Sequence, residues 1–246
     1  MRTDILGVGF DDLTLDEAAA AGAALVEADG FHYAVTPNPE FLLTAKGDDA
    51  FRRALLGADL VLADGIGVVY SAKILGRPLK GRVPGIEFAQ RLIAWMAAHG
   101  KRLFLLGAKP GVAELAAANL KDKYPGLIVC GTHDGYFQDD GPVVEAIRAA
   151  GADVVFVCLG APKQELWMVK NGPASGARLM VGLGGSLDVF AGVVERAPEA
   201  FQKLGLEWLH RLLREPKRIG RMAKLPLVLV KAAGRRVTGK GRQGVL

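Results

Sequence analysis

Apolar runs closed by Gly, Asp, Thr or Pro, and interspersed with segments of helical spacing, set the strongest limit on how this chain can fold. The runs are FHYAVTPN, ADLVLADG, KRLFLLGAKPG, GLIVCGTHDG, ADVVFVCLGAP and ARLMVGLGG. They are apolar throughout rather than alternating, which predicts strands covered on both faces. Between them, DEAAAAGAALVEADG, EFLLTAKGDDAFRRALLGA, IEFAQRLIAWMAAHG, GVAELAAANLKDKY and DDGPVVEAIRAAG place apolar residues at helical intervals and end near glycine. This alternation predicts an α/β fold: a Rossmann-like, doubly wound, mainly parallel sheet.

At 246 residues the chain is long enough to bury a core without disulfides or structural metal. No repeat or low-complexity linker interrupts the pattern, so an α/β domain is expected over 1–202 and a C-terminal appendage over 203–246. Cys130 and Cys158 stand far apart inside apolar runs, with no Cys-x-x-Cys or Cys/His ligand spacing. Buried thiols in a reducing compartment follow. The N-terminal MRTDILGVGFDD is not a signal peptide, and no run of 18 apolar residues suggests a membrane span. A cytoplasmic protein is expected.

The net charge of +5 is unevenly spread. Residues 203–246 hold 12 Lys/Arg against 2 Glu, a net +10, while the remaining 19 Lys/Arg and 24 Asp/Glu leave the body at −5. Such a tail seeks polyanions. Arg211, Arg214, Arg218 and Arg221 fall at intervals of three, four and three, which would share one face of an uninterrupted helix, although Pro216 is expected to separate two short helices. The aliphatic LPLVLV that follows, flanked by Lys224 and Lys231, suits an anionic membrane surface better than nucleic acid. Disorder is expected after Ala233.

In open parallel sheets, ligands bind outside the carboxyl ends of the strands. The residues predicted there are Thr36, Asn38, Asp64, Gly107, His133, Asp134, Tyr136, Lys163, Gln164, Gly184, Gly185 and Asp188, a polar and glycine-lined crevice. Asp64, after an apolar strand and before Gly-Ile-Gly, is either a general base or a turn-capping carboxylate. Arg82, in the Pro/Gly turn KGRVPG, is either a phosphate ligand or a surface ion pair. No Asp-x-Asp pair is available to clamp a metal, so a diphosphate here would have to be neutralised by Arg, Lys or backbone dipoles. The Gly-Val-Gly at residues 7–9 lacks the third glycine of a dinucleotide fingerprint. There is no P-loop, no nucleophile elbow and no histidine pair at metal spacing.

Taken together and in this order, TPNPEF, LADGIGVV, GRVPGIEF, FLLGAKPG, THDGYF, LGAPKQELW, GLGGSLDVFAGVVERAP and LEWLHRLLREPKRIGR make a chain that resembles the WecG/TagA/CpsF family, glycosyltransferase family 26, from about residue 5 to 225. The resemblance implies transfer of N-acetylmannosamine, or a related hexose, from a UDP-sugar to undecaprenyl-diphosphate-linked N-acetylglucosamine, in teichoic acid or other surface-polysaccharide synthesis. It further implies inversion without an essential metal or cofactor, and peripheral attachment to the inner face of the cell membrane. By the same likeness Asp64 is the base, and Thr36, Asn38, Arg82 and Gln164 belong to the pocket. Tyr136 and Asp188 would hold the uridine, and Arg211, Arg214, Arg218 and Arg221 would face the acceptor diphosphate and lipid head groups. Homo-oligomerisation is left open. The competing readings are a nucleotide-sugar oxidoreductase, opposed by the missing glycine, and a basic-tail nucleic-acid binder. The second lacks interleaved aromatics, with only Trp208 among the cations, so nucleic acid is not expected as a partner.

Overall fold

The computed structural model describes residues 2–198, 200, 201, 207, 209 and 224–237. The chain opens with a hairpin of β1 (Arg2–Ile5) and β2 (Val8–Asp11), paired antiparallel with Arg2 opposite Asp11 and Ile5 opposite Val8. Leu6 and Gly7 turn the corner with φ of 57° and 96°, the doubly positive geometry that matches the twist of a tight hairpin. Gly7 and Gly9 therefore lie in a hairpin and not at a strand-to-helix turn, which removes the remaining basis for a dinucleotide fingerprint.

The body follows as α1 (Leu15–Glu27), β3 (His32–Val35), α2 (Pro39–Thr44), α3 (Asp49–Leu56), β4 (Leu60–Val61), α4 (Ile66–Ile74) and α5 (Gly85–His99). It continues through β5 (Arg102–Gly107), α6 (Val112–Lys123), β6 (Ile128–His133), α7 (Asp140–Ala149), β7 (Val154–Cys158), α8 (Lys163–Ser175), β8 (Leu179–Gly182) and α9 (Ser186–Phe190). The last described element is α10 (Lys224–Val237). All six predicted strands form, and they make one parallel sheet in the order β4-β3-β8-β7-β5-β6. The segment expected as one helix after β3 splits into α2 and α3, because Asp48 accepts from the Phe51 N–H and starts a new helix. The hairpin and the helices α4, α8 and α9 were not anticipated.

Side chains from each strand divide between two cores. Leu103, Leu105, Phe156 and Val181 pack with α1, α5, α6 and α9, whereas Phe104, Leu106, Val155 and Met180 pack with α3, α7 and α8. This is the burial on both faces that unbroken apolar strands require. The chain leaves β5 through α6 toward β6 on one side and leaves β7 through α8 toward β8 on the other. Since α6 and α8 cover opposite faces, a crevice opens between the ends of β5 and β7.

Helix α10 packs on α4 and α2. Val228 and Ala232, four residues apart on one helix face, are fully buried. Arg235 pairs with Asp4 at 3.2 Å, and Arg236 Nη1 donates to the Ile74 carbonyl at 2.7 Å. Two expectations are corrected here. The aliphatic run is not wholly exposed, and helical order extends past Ala233 to Val237. Leu227 and Val230 do stay exposed. Arg211, Arg214, Arg218 and Arg221 lie outside the described residues.

The close packing of β5 and β7 generates a test. Gly107 has φ of 128°, and a Cβ there would sit 2.3 Å from the Cys158 carbonyl oxygen. Backbone cannot yield as a flexible side chain can, so Gly107→Ala should cost about 3 kcal/mol or more. Chemical denaturation of the purified variant measures this; a loss below about 1 kcal/mol would contradict the packing.

Candidate functional site

Two groups of side chains occupy the carboxyl edge of the sheet. The first is built on the ends of β3 and β4. Thr36 is buried, and its Oγ1 donates to the Gly182 carbonyl at 2.9 Å, tying β3 to β8. Asn38 caps α2, its Oδ1 accepting from the Glu40 N–H at 2.8 Å and the Phe41 N–H at 3.4 Å. Asp64 follows β4, with its own N–H on the Pro37 carbonyl. Its carboxylate does not cap α4, whose N-cap is Gly65 with no side-chain bond. Instead Oδ2 accepts from the Gly85 N–H at 3.4 Å, at the start of α5, where the helix dipole favours a negative charge.

Glycines hold this group together. A Cβ on Gly85 would meet Thr36 at 3.1 Å, and one on Gly65 would meet Pro39 at 3.3 Å and Asn38 at 3.7 Å. The loops after β3 and β4 therefore touch, and Thr36, Asn38 and Asp64 share one small region. Arg82 stands in the loop leading into α5, its Nη1 donating to Glu207 Oε2 at 2.6 Å.

The second group surrounds a cleft of about 510 Å³ at the ends of β5, β6 and β7, lined by Lys109, Tyr136, Phe137, Leu159, Lys163 and Asp188 among others. Tyr136 is 69% exposed, a free aromatic face beside the opening. Lys163 Nζ donates to the Gly135 carbonyl at 3.2 Å and lies 4.9 Å over the Phe137 ring, so its ammonium is fixed at the cleft. Phe137 is itself held edge-on by His133 and Trp167. His133 Nδ1 bonds the Asp134 carbonyl at 2.8 Å, so this histidine belongs to the loop's own framework. Cys158 forms part of the cleft wall, and burial pushes its thiol up to about 12, leaving no thiolate nucleophile at neutral pH.

Gln164 joins the groups from behind. It is 1% exposed; its Nε2 donates to Glu165 Oε1 at 2.7 Å and its Oε1 accepts from the Gly184 N–H at 3.0 Å. A Cβ on Gly182 would strike Gln164 Nε2 at 2.9 Å, so Thr36 and Gln164 meet on the same residue. Glu165 is fully buried, and its Oε2 has no hydrogen-bond partner. Burial pushes its carboxyl up to about 7, with donation from Gln164 offsetting only part of the cost. Among the described residues, no three His, Cys, Asp or Glu side chains gather to hold a metal ion.

Of the residues expected at the site, Thr36, Asn38, Asp64 and Gln164 lie at the carboxyl edge of the sheet, and Arg82 stands in the loop before α5. The sequence placed Lys163 at the crevice without a role and did not single out Lys109, although both follow strand ends in LGAKPG and GAPKQE. It missed Glu207, Arg196 and Glu87 because long-range ion pairs leave no local pattern.

A parallel sheet with a glycine-lined, cation-bearing crevice at its topological switch defines a doubly wound α/β protein, the class in which ligands bind at that edge. The chain belongs to the glycosyl transferase WecG/TagA/CpsF family, whose model matches residues 3–242. It is a glycosyltransferase. Among its relatives are proteins of Staphylococcus aureus strains MW2, MRSA252 and NCTC 8325, each named N-acetylglucosaminyldiphosphoundecaprenol N-acetyl-beta-D-mannosaminyltransferase. Each is 37% identical over 235 residues, covering 94% of this chain and 92% of the relative.

Glu165 sets a pH dependence of stability. Its folded pKa, about 7, lies above the ordinary 4.5, so its contribution is fully present below pH 4.5 and is lost as pH rises through 7. Glu165→Gln keeps an acceptor for Gln164 and removes the buried charge. The melting temperature of the variant should exceed that of the parent at pH 8 by a few degrees, and the difference should shrink toward pH 5.

Proposed function

We propose that the protein transfers N-acetylmannosamine, or a related hexose, from a UDP-sugar to undecaprenyl-diphosphate-linked N-acetylglucosamine, with inversion at the anomeric carbon. The single observation that bears most on this reading is the Asp64 carboxylate, held at the first N–H of α5 beside Thr36 and three residues past the end of β4. A carboxylate fixed there can take the proton of an acceptor hydroxyl. The freed oxygen then bonds the anomeric carbon as the bond from that carbon to the UDP β-phosphate oxygen breaks. The electron pair departs with UDP, and no covalent enzyme intermediate is needed.

Departing UDP gains negative charge, which fixed cations stabilise. Arg82, Lys109 and Lys163 serve that purpose in place of a metal. Tyr136 stacks on the uracil, Asp188 bonds the nucleoside, and Asn38 and Thr36 hold the loops that receive the sugar. Gln164 shapes the pocket by fixing the Gly184 turn. Incubation with UDP-N-acetylmannosamine and a short-chain lipid-diphosphate N-acetylglucosamine, in the presence of a chelator, should yield UDP and an acceptor heavier by one N-acetylhexosamine. Absence of that product by mass, with or without added Mg²⁺, would refute the reading. Asp64→Asn should lower kcat about 10²–10⁴-fold and leave UDP binding intact; steady-state kinetics and titration with UDP check this.

The segment after about residue 202 acts, in this reading, as an appendage that rests on the inner face of the cell membrane and meets the acceptor diphosphate. No helix among the described residues is long and apolar enough to cross a membrane. The +10 charge of residues 203–246 and the exposed Leu227 and Val230 support attachment at a surface. Replacing Arg214, Arg218 and Arg221 together by Glu should weaken binding to phosphatidylglycerol vesicles by about 10²-fold at low salt, at roughly 1 kcal/mol per cation. High salt should narrow the difference. Unchanged co-sedimentation would remove the membrane role from these arginines.

A further inference from the structure

Glu207 is 125 residues from Arg82 in sequence, yet its carboxylate is divided between two arginines. Its Oε2 accepts from Arg82 Nη1 at 2.6 Å and its Oε1 from Arg196 Nε at 3.1 Å. Arg196 Nη2 in turn donates to Glu87 Oε1 in the first turn of α5. The chain Arg82–Glu207–Arg196–Glu87 alternates in sign and has no net charge. Its side chains are largely withdrawn from water, at 15%, 16%, 20% and 30% exposure.

We propose that Glu207 is a positioning residue for the transfer, holding the Arg82 guanidinium in place through an ion-pair chain that links the C-terminal segment to the first turn of α5. The proposal rests on the reading of Arg82 as a ligand of the donor diphosphate. Glu207 itself touches neither substrate nor the reacting atoms.

Three observations favour positioning over competition with the donor. Both oxygens of Glu207 are engaged, so the carboxylate is part of an extended ion-pair chain and not a lone anion resting on Arg82. The chain ends on Glu87, two residues beyond Gly85, whose N–H holds Asp64, so the base and the cation are fixed from the same helix start. Arginine also has considerable side-chain freedom and a planar fork of donors; anchoring Nη1 sets the plane of that fork. Burial pushes the Glu207 carboxyl up, but pairing with Arg82 and then Arg196 more than offsets this and holds it below the ordinary range, so the anchor stays charged at neutral pH.

The test uses the full chain, with Glu207→Gln, Glu207→Asp, Arg82→Lys and the double variant Glu207→Gln/Arg82→Lys. Glu207→Gln should lower kcat by about 10- to 10²-fold, the usual effect of misplacing a catalytic group, while KM for the UDP-sugar and the melting temperature stay near their parental values. Glu207→Asp should recover part of the loss. In the Arg82→Lys background, Glu207→Gln should cost less than about 2-fold, because residues acting as a unit are not additive. Independently of catalysis, the Arg82 side-chain N–H signal in an NMR spectrum, assigned by its loss in Arg82→Lys, should shift and broaden in Glu207→Gln.

Parental kcat in Glu207→Gln, faster turnover, or an undiminished loss in the Arg82→Lys background would overturn the proposal, as would an unchanged Arg82 signal. If the parent protein fails to transfer sugar while the Arg82 signal still responds to Glu207→Gln, the proposed reaction fails and the positioning of Arg82 by Glu207 stands.

Discussion

Burial of the central strands on both faces governs the rest of this molecule. Because Leu105 and Phe156 face one helical layer while Leu106 and Val157 face the other, every strand must exit at the same edge and return through a helix. All the loops that follow strands therefore gather at one end. Neighbouring strands approach until Gly107 leaves no room for a side chain against Cys158. At that edge the chain leaves the strands in irregular loops, which release polar side chains from the core.

The edge is organised by bonds between side chains and backbone. Thr36 on the Gly182 carbonyl, Gln164 on the Gly184 N–H and Asp64 at the Gly85 N–H link the ends of β3, β4 and β8 and the start of α5. Such links join loops from distant parts of the sequence into one rigid rim, which suits a reaction that depends on the placement of charge. Glu165 illustrates the cost of this arrangement. A fully buried carboxyl with one unpartnered oxygen stands directly behind the rim, and its environment favours the neutral form.

The sheet was legible in the sequence because a strand covered on both sides has a local signature, an unbroken apolar run with a turn residue at its end. The runs ending at Asp64, Gly107 and Gly182–Gly185 gave both the strands and the residues at their tips. The hairpin of β1 and β2 was not legible, since four-residue strands with mixed polarity have too short a period to detect. Helix α8 was missed because its inward face includes Gln164, Glu165 and Asn171, polar residues that weaken the apolar stripe. The aliphatic run near residue 228 read as surface, yet Val228 and Ala232 form a narrow face that needed only the groove between α2 and α4. Glu207 was invisible for a different reason: its partners Arg82 and Arg196 are defined by the folded chain alone.

Helix α10 has a consequence for biogenesis. Ribosomal synthesis proceeds from the N-terminus at about 5–20 residues per second, so α2 and α4 emerge long before the helix that covers them. During that interval the apolar seats later filled by Val228 and Ala232 face solvent, and Asp4 waits for Arg235. Until α10 is made, that apolar flank stays uncovered, a surface of the kind that invites aggregation. Closure by α10 ends that interval, sealing the side of the body next to the opening hairpin.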